Sequence, residues 1–226
     1  MLQFSAVQAD THGQLKFLSE YIYRGYSKSR GNPVVQAQLD YQHQSGWFTG
    51  LGVSQVSFDD HDNSERAKIE FKPQLGWNLP LNNGWHAELS VSGYLYNDKV
   101  FARHANYAEV NAGLHYQDWL SAQVSVAPNA FNRNAAVMNY ELNYRRDLLD
   151  NFQFSSGLGF YQAGKLVGED YFYWNAGISW FISPHLALDI RYVDVHLDEQ
   201  HDAAHHDEFY PRPQENKYLL SVTLGF

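Results

Sequence analysis

The sequence predicts an all-β fold, a transmembrane antiparallel up-and-down β-barrel of about twelve strands. Three observations carry that expectation. Period-two alternation recurs in twelve segments of roughly ten residues, the length a tilted strand needs to cross a hydrocarbon layer. The segments are joined by connections that alternate between short and long, as in barrels with tight turns at one rim and loops at the other. Aromatic residues make up 16% of the 226 residues while charged ones make up 18% and the mean hydropathy is -0.48. A wall with one apolar face, one polar face and aromatic girdles averages out in this way.

The segments, in chain order, are 14–24, 34–43, 47–58, 67–78, 85–97, 106–117, 119–128, 136–146, 152–162, 171–182, 186–196 and 217–226. The short links are QSG (44–46), PLNNG (80–84), QD (117–118), DLLDN (147–151) and SPH (183–185). Between them come longer stretches at 25–33, 58–67, 98–105, 129–135, 163–170 and 197–216. Facing follows from parity. In the segment 34–43, Val35, Ala37, Leu39 and Tyr41 oppose Gln36, Gln38, Asp40 and Gln42; in 67–78, Ile69, Phe71, Leu75 and Trp77 oppose Lys68, Glu70, Lys72 and Gln74. In 85–97, Trp85, Ala87, Leu89 and Val91 oppose His86, Glu88, Ser90 and Ser92. The last segment sets Tyr218, Leu220, Val222, Leu224 and Phe226 against Lys217, Ser221, Thr223 and Gly225.

Period two alone does not separate a membrane barrel from a soluble β-sandwich or lipocalin-like barrel, whose apolar face would point inward. The tryptophans favour the membrane. Trp47, Trp77, Trp85, Trp119 and Trp180 all fall within a few residues of a short turn, and only Trp174 lies toward the long loops. Indoles gathered at one height suit a headgroup layer, where an amphipathic ring has one apolar and one wet side. Pro128, Pro184, Pro211 and Pro213 fall at strand ends or in loops, where a sheet tolerates a missing N–H.

No stretch of about 18 apolar residues exists, so a helical span is excluded. The chain has no cysteine, which removes disulfides, thiolate metal sites and Cys nucleophiles together. A net charge of -9 argues against nucleic acid as a partner. Residues 1–9, ending in the small-x-small run Val7-Gln8-Ala9, read as the remnant of an export signal or as an added segment, with a single outer-membrane barrel domain over 10–226. An even strand count places both termini in the periplasm, and a chain that stops on the aromatic Phe226 resembles the signal by which outer-membrane proteins reach their insertion machinery.

The run YIYRGYSKSRGNPVVQAQLDYQHQSGWFTG (21–50) resembles the opening of a proteobacterial family of outer-membrane porin-class proteins, the TorF-like family. Aromatic-rich strands at 106–117, 170–181 and 188–196 extend the likeness as a pattern. The resemblance implies an outer-membrane location; it carries over no catalytic residues.

By parity the inward face holds Lys16, Glu20, Arg24, Asp40, Lys68, Glu70, Lys72, Glu88, Glu109, Glu141, Arg145, Asp189 and Arg191. Charges inside a barrel need water or partners. The set therefore fits a wet lumen passing small hydrophilic solutes, or a salt-bridged interior that fills a narrow barrel. A rival class is a non-conducting binding or structural barrel. It would use the acidic loop 196–210, with His201, His205 and His206 among carboxylates, to capture a metal ion such as Zn or Cu or a protein partner; DDHD (59–62) could add ligands. The same loop reads equally as a solvated acidic segment. His43 and Ser45 have the His-x-Ser spacing of a lipid hydrolase but sit at a short turn, without a matching Asn downstream, so no enzyme and no cofactor is expected.

Overall fold

The computed structural model describes residues 10–58, 66–197 and 213–226. Its strands are β1 (Asp10–Leu18), β2 (Ile22–Tyr23), β3 (Tyr26–Ser27), β4 (Val34–Gln42), β5 (Trp47–Gln55), β6 (Ile69–Pro80) and β7 (Trp85–Tyr96). They continue with β8 (Tyr107–Tyr116), β9 (Leu120–Ala127), β10 (Val137–Leu149), β11 (Phe152–Gln162), β12 (Tyr171–Ser183), β13 (Leu186–His196) and β14 (Lys217–Gly225). All but β2 and β3 form one closed antiparallel barrel, each strand paired with its sequence neighbour and β14 returning to β1. Twelve strands close it. The short pair β2–β3 is a separate hairpin.

Closure is sealed at the chain's end. The Phe226 carbonyl accepts the Gly13 N–H at 2.8 Å, and the Phe226 N–H donates to the Gly13 carbonyl at 2.9 Å. The Phe226 ring lies over Gly13, where an added Cβ would fall 2.2 Å from the ring. Tight turns carry the backbone conformations they need: Gly46 has φ +97° with the Asn78 carbonyl 2.5 Å from where a Cβ would stand, and Asn83-Gly84 has φ 59° and 82°. Register shifts between Asp147 and Leu149 and between Phe181 and Ser183 mark two further short turns.

Parity holds all round the wall. Leu39, Leu75, Leu89 and Leu220 are 55 to 60% exposed on the outer face, and a ring of such residues is far larger than the apolar patch a soluble monomer tolerates. Among the described residues no helix is long and apolar enough to cross a membrane. At the short-turn end Trp47 is the register partner of Trp77; Trp85 packs on Tyr116 at 4.8 Å, Trp119 on Tyr116 at 5.3 Å, and Trp180 stacks on Phe152 at 6.0 Å. This is the girdle expected from the sequence.

The buried apolar core sits at the long-loop end. Tyr26, Phe58, Tyr94, Tyr96, Phe131, Tyr161 and Tyr171 belong to one cluster, joined by Leu166 and Val167 from the helical turn α1 (Gly164–Val167). The barrel is thus greasy outside, polar in the middle, and packed with rings at one end.

The first strand differs from expectation. It occupies Asp10–Leu18, not 14–24, so the sequence reading of Glu20 and Arg24 as strand residues is corrected. Alternation runs on through Leu18, Glu20, Ile22 and Arg24, but the chain leaves the sheet after Leu18. Ser19 still donates its N–H to the Leu220 carbonyl at 2.8 Å, after which Glu20 turns to accept the Gly31 N–H at 2.9 Å.

Candidate functional site: a plugged polar lumen

Residues 19–33 fold into the barrel. Arg24 has φ 49° and Gly25 φ 82°, which fold β2 back on β3. The hairpin is held from several strands at once. The Arg24 guanidinium makes a bidentate contact with the Glu109 carboxylate, its Nη1 arm at 3.1 Å. Lys28, fully buried, donates from Nζ to Glu70 Oε2 at 2.6 Å and lies 4.0 Å from the centre of the Tyr23 ring. Glu70 also accepts the Tyr96 hydroxyl at 2.7 Å and the Tyr21 hydroxyl at 3.1 Å. Tyr171 donates its hydroxyl to the Arg24 carbonyl at 2.9 Å, the Tyr23 and Tyr94 hydroxyls meet at 2.8 Å, and Tyr26 bridges to Pro213. Burial pushes the Lys28 ammonium below its usual pKa, and the adjoining Glu70 charge works against that shift.

Both buried pairs follow one rule. An ion removed from water is tolerated only when its partner and remaining hydrogen-bonding sites are satisfied. Glu70 and Glu109 face inward on β6 and β8 because they alternate with lipid-facing Phe71 and Val110. The hairpin brings the counter-charges to them.

Below the hairpin the lumen holds two cavities. The larger, about 560 Å³, is lined by Lys16, Glu20, Arg24, Lys72, Glu88, Glu109, Glu141 and Arg191, with Asn111, Gln123, Tyr94 and Tyr173 among its neutral walls. The smaller, about 480 Å³, lies at the short-turn side against Arg145, His86, His115 and Trp119. Asn175 and Arg191 line both. Arg191 forms the crossbar between them, donating to Asn175 Oδ1 at 2.5 Å, Ser155 Oγ at 2.6 Å and Asp189 Oδ2 at 3.1 Å.

Of the thirteen inward charges read from sequence, eight therefore meet at the larger cavity. Arg145 meets the smaller one, where its Nε donates to the Asp118 carbonyl. Glu70 is consumed by Lys28, and Asp189 holds Arg191 and accepts the Ser179 hydroxyl at 2.8 Å. Asp40 lies apart, accepting from Gln38 at 2.9 Å. Lys68 is exposed just before β6, its N–H bonded to Asn97 Oδ1 at 2.8 Å. His201, His205, His206 and the run 59–62 lie outside the described residues. His43 Nδ1 and Ser45 Oγ stand 2.9 Å apart, but the Ser45 N–H also points to that nitrogen at 3.2 Å and the imidazole stacks on Trp47, an arrangement that closes a turn.

The sequence reading missed Lys28 and the inward tyrosines. A signal was present for the tyrosines: Tyr94 and Tyr96 share parity with Glu88, Ser90 and Ser92, and Tyr171 and Tyr173 share parity with Asn175 and Ser179. For Lys28, in an irregular segment, no period exists to read.

The model of the family described as "Bacterial protein of unknown function (Gcw_chp)" matches residues 6–223. The chain belongs to that family. It matches no curated protein. Among solved structures it is similar to the KdgM porin, with 10% identity, a TM-score of 0.58, and 95% of this chain and 99% of that one covered. A KdgM porin in complex with disordered oligogalacturonate has 8% identity and a TM-score of 0.55, covering 97% and 99%. The NanC porin has 8% identity and a TM-score of 0.52, covering 96% and 98%. At such identities the likeness is one of fold: this family member is a porin-type twelve-stranded barrel.

Proposed function

We propose that the protein is a porin-like channel of the bacterial outer membrane for passive diffusion of small hydrophilic solutes, with its periplasmic face at the short turns and both termini there. The observation that carries the reading is the pair of adjoining polar cavities inside a wall whose outer face is dominated by exposed leucines and aromatic rings. A filled, salt-bridged interior would leave no such volume. The porin fold of the structural relatives supports it, as does the TorF-like resemblance of 21–50. Phe226, hydrogen-bonded to Gly13 at the barrel seam, is the residue we propose the insertion machinery reads.

The hairpin 21–31 closes the long-loop end in this structure, so conduction requires it to shift. A second reading follows from the same observation: a barrel that stays plugged and acts as a binding protein from the outer surface. Liposome swelling separates the two. Vesicles carrying the protein should swell in isotonic solutions of small sugars and amino acids at rates that fall with solute size. Swelling no faster than in protein-free vesicles would favour the plugged barrel.

A further inference from the structure

The charges on the larger cavity do not all cancel locally. Glu20 is paired with Lys217 at 3.4 Å, Glu109 with Arg24, and Arg191 with Asp189 at 3.1 Å. Lys16, Lys72, Glu88 and Glu141 remain on the lining. Lys16 has no hydrogen bond or ion pair among the described residues, whereas Lys72, 5.3 Å from the centre of the Tyr94 ring, is engaged by the Tyr94 hydroxyl with Glu109 and Glu70 acting on its charge. Glu141 accepts only the neutral Tyr173 hydroxyl at 2.6 Å. Glu88 accepts the Ser90 hydroxyl at 3.1 Å and stands 3.8 Å from His115, an imidazole that gives full charge only when protonated.

The surplus charges are sorted round the wall. Going round the barrel from β13 through β14, β1, β4 and β5 to β6, the surplus is positive, from Lys16 on β1. From β7 to β10 it is negative, from Glu88 and Glu141. Lys72 and Glu88 are on adjacent strands but do not meet: Glu88 is the register partner of Asn78, six residues along β6 from Lys72 and so about 20 Å away. One cavity therefore presents an unpaired cation, Lys16, on one arc of the wall and two carboxylates, Glu88 and Glu141, on the other, with Asn111, Gln123, Ser90 and Ser92 as neutral donors and acceptors.

From this arrangement we infer that the cavity selects zwitterionic solutes, amino acids and short peptides, whose carboxylate faces Lys16 and whose ammonium faces Glu141. The inference rests on the channel reading and narrows its solute. A simple anion gains from Lys16 but meets the carboxylates, and a simple cation meets the reverse; a solute carrying both signs satisfies both walls. A neutral sugar would use the tyrosine rings and amides alone.

Calorimetric titration of the full chain in detergent with four probes tests this. The probes are L-alanyl-L-alanine, its N-acetyl form, its C-terminal amide, and a disaccharide of similar size. The free dipeptide should bind about tenfold or more tightly than either blocked form and than the sugar, the worth of one charge-assisted contact. Lys16→Gln should weaken the free and N-acetyl dipeptides while leaving the amide unchanged; Glu141→Gln should weaken the free dipeptide and the amide while leaving the N-acetyl form unchanged. Heat-dependent gel migration confirms that each variant is folded. Equal binding of all four probes, tighter binding of the sugar, or no dipeptide binding at millimolar concentration would overturn the inference. Because no conduction is measured, such a result leaves the swelling experiment to judge the channel on its own.

Discussion

Arg24 and Lys28 carry their charges into a space that strands alone would have left to water. Each meets one carboxylate, Glu109 and Glu70 respectively, at almost zero exposure. Removing one partner of such a pair strands the other, at a cost of about 3 to 5 kcal/mol, whereas replacing both by apolar groups of similar size costs far less. Glu109→Gln and Arg24→Met should each loosen the hairpin by about that amount, and the double variant should be milder than the sum, read as a coupling energy from denaturant midpoints. Additive singles would mean that the two groups do not act as a pair. Arg191 makes a different prediction. Its guanidinium divides the two cavities and is held by Asn175, Ser155 and Asp189. Arg191→Ser should join them and speed solute flux without lowering barrel stability by more than about 1 kcal/mol, because Arg191 and Asp189 keep 25% and 17% of their side-chain surface accessible. At this scale the sequence was legible as to which side of the wall a charge occupies, since parity decides that. It was silent on pairing, because Lys28, the partner of Glu70, lies in an irregular segment, and Arg24, the partner of Glu109, lies in a stretch whose period two reads as strand.

Among the elements, the strands were the readable part. The segments 152–162 and 186–196 coincide with β11 and β13, because the tight turn that opens each, DLLDN and SPH, announces itself by Asp, Asn and Pro. The exception, β1, shows where pattern misleads. Leu18, Glu20, Ile22 and Arg24 keep period two, but past Leu18 the chain leaves the ladder for the lumen, where Glu20 meets Gly31 and Lys217 and Arg24 meets Glu109 on β8, and these contacts override alternation. Ten residues of strand rise about 33 Å, or about 25 Å along the axis at a 40° tilt, which matches an apolar band of this kind. The tryptophans near the short turns then lie at one headgroup level. Their fluorescence should be quenched more by lipids brominated near the headgroup than by lipids brominated at the chain ends. Stronger quenching from the chain ends would misplace the girdle. The hairpin β2–β3 is an insert and not part of the ladder. Replacing residues 21–31 by a short Gly/Ser link should leave a closed, heat-modifiable barrel, because β1 and β4 pair over their whole length without it.

For the whole molecule, the usual arrangement of a folded chain is inverted. Leucines and tryptophans face outward, ionisable groups line the inner cavities, and the dense apolar core is confined to the end bearing the long loops. Hydropathy alternation showed the inversion once the tryptophans had fixed which face meets lipid. The inward-folded segment was hidden, because a loop reads as polar punctuation whether it extends into solvent or tucks back. Single-channel recording in planar bilayers, comparing the native chain with the variant lacking residues 21–31, tests the plugged lumen most directly. The native protein should be closed for most of the time with brief steps, and the variant should show long-lived, larger steps. A variant as silent as a protein-free bilayer, though folded by its gel migration, would contradict a solute path beneath the plug.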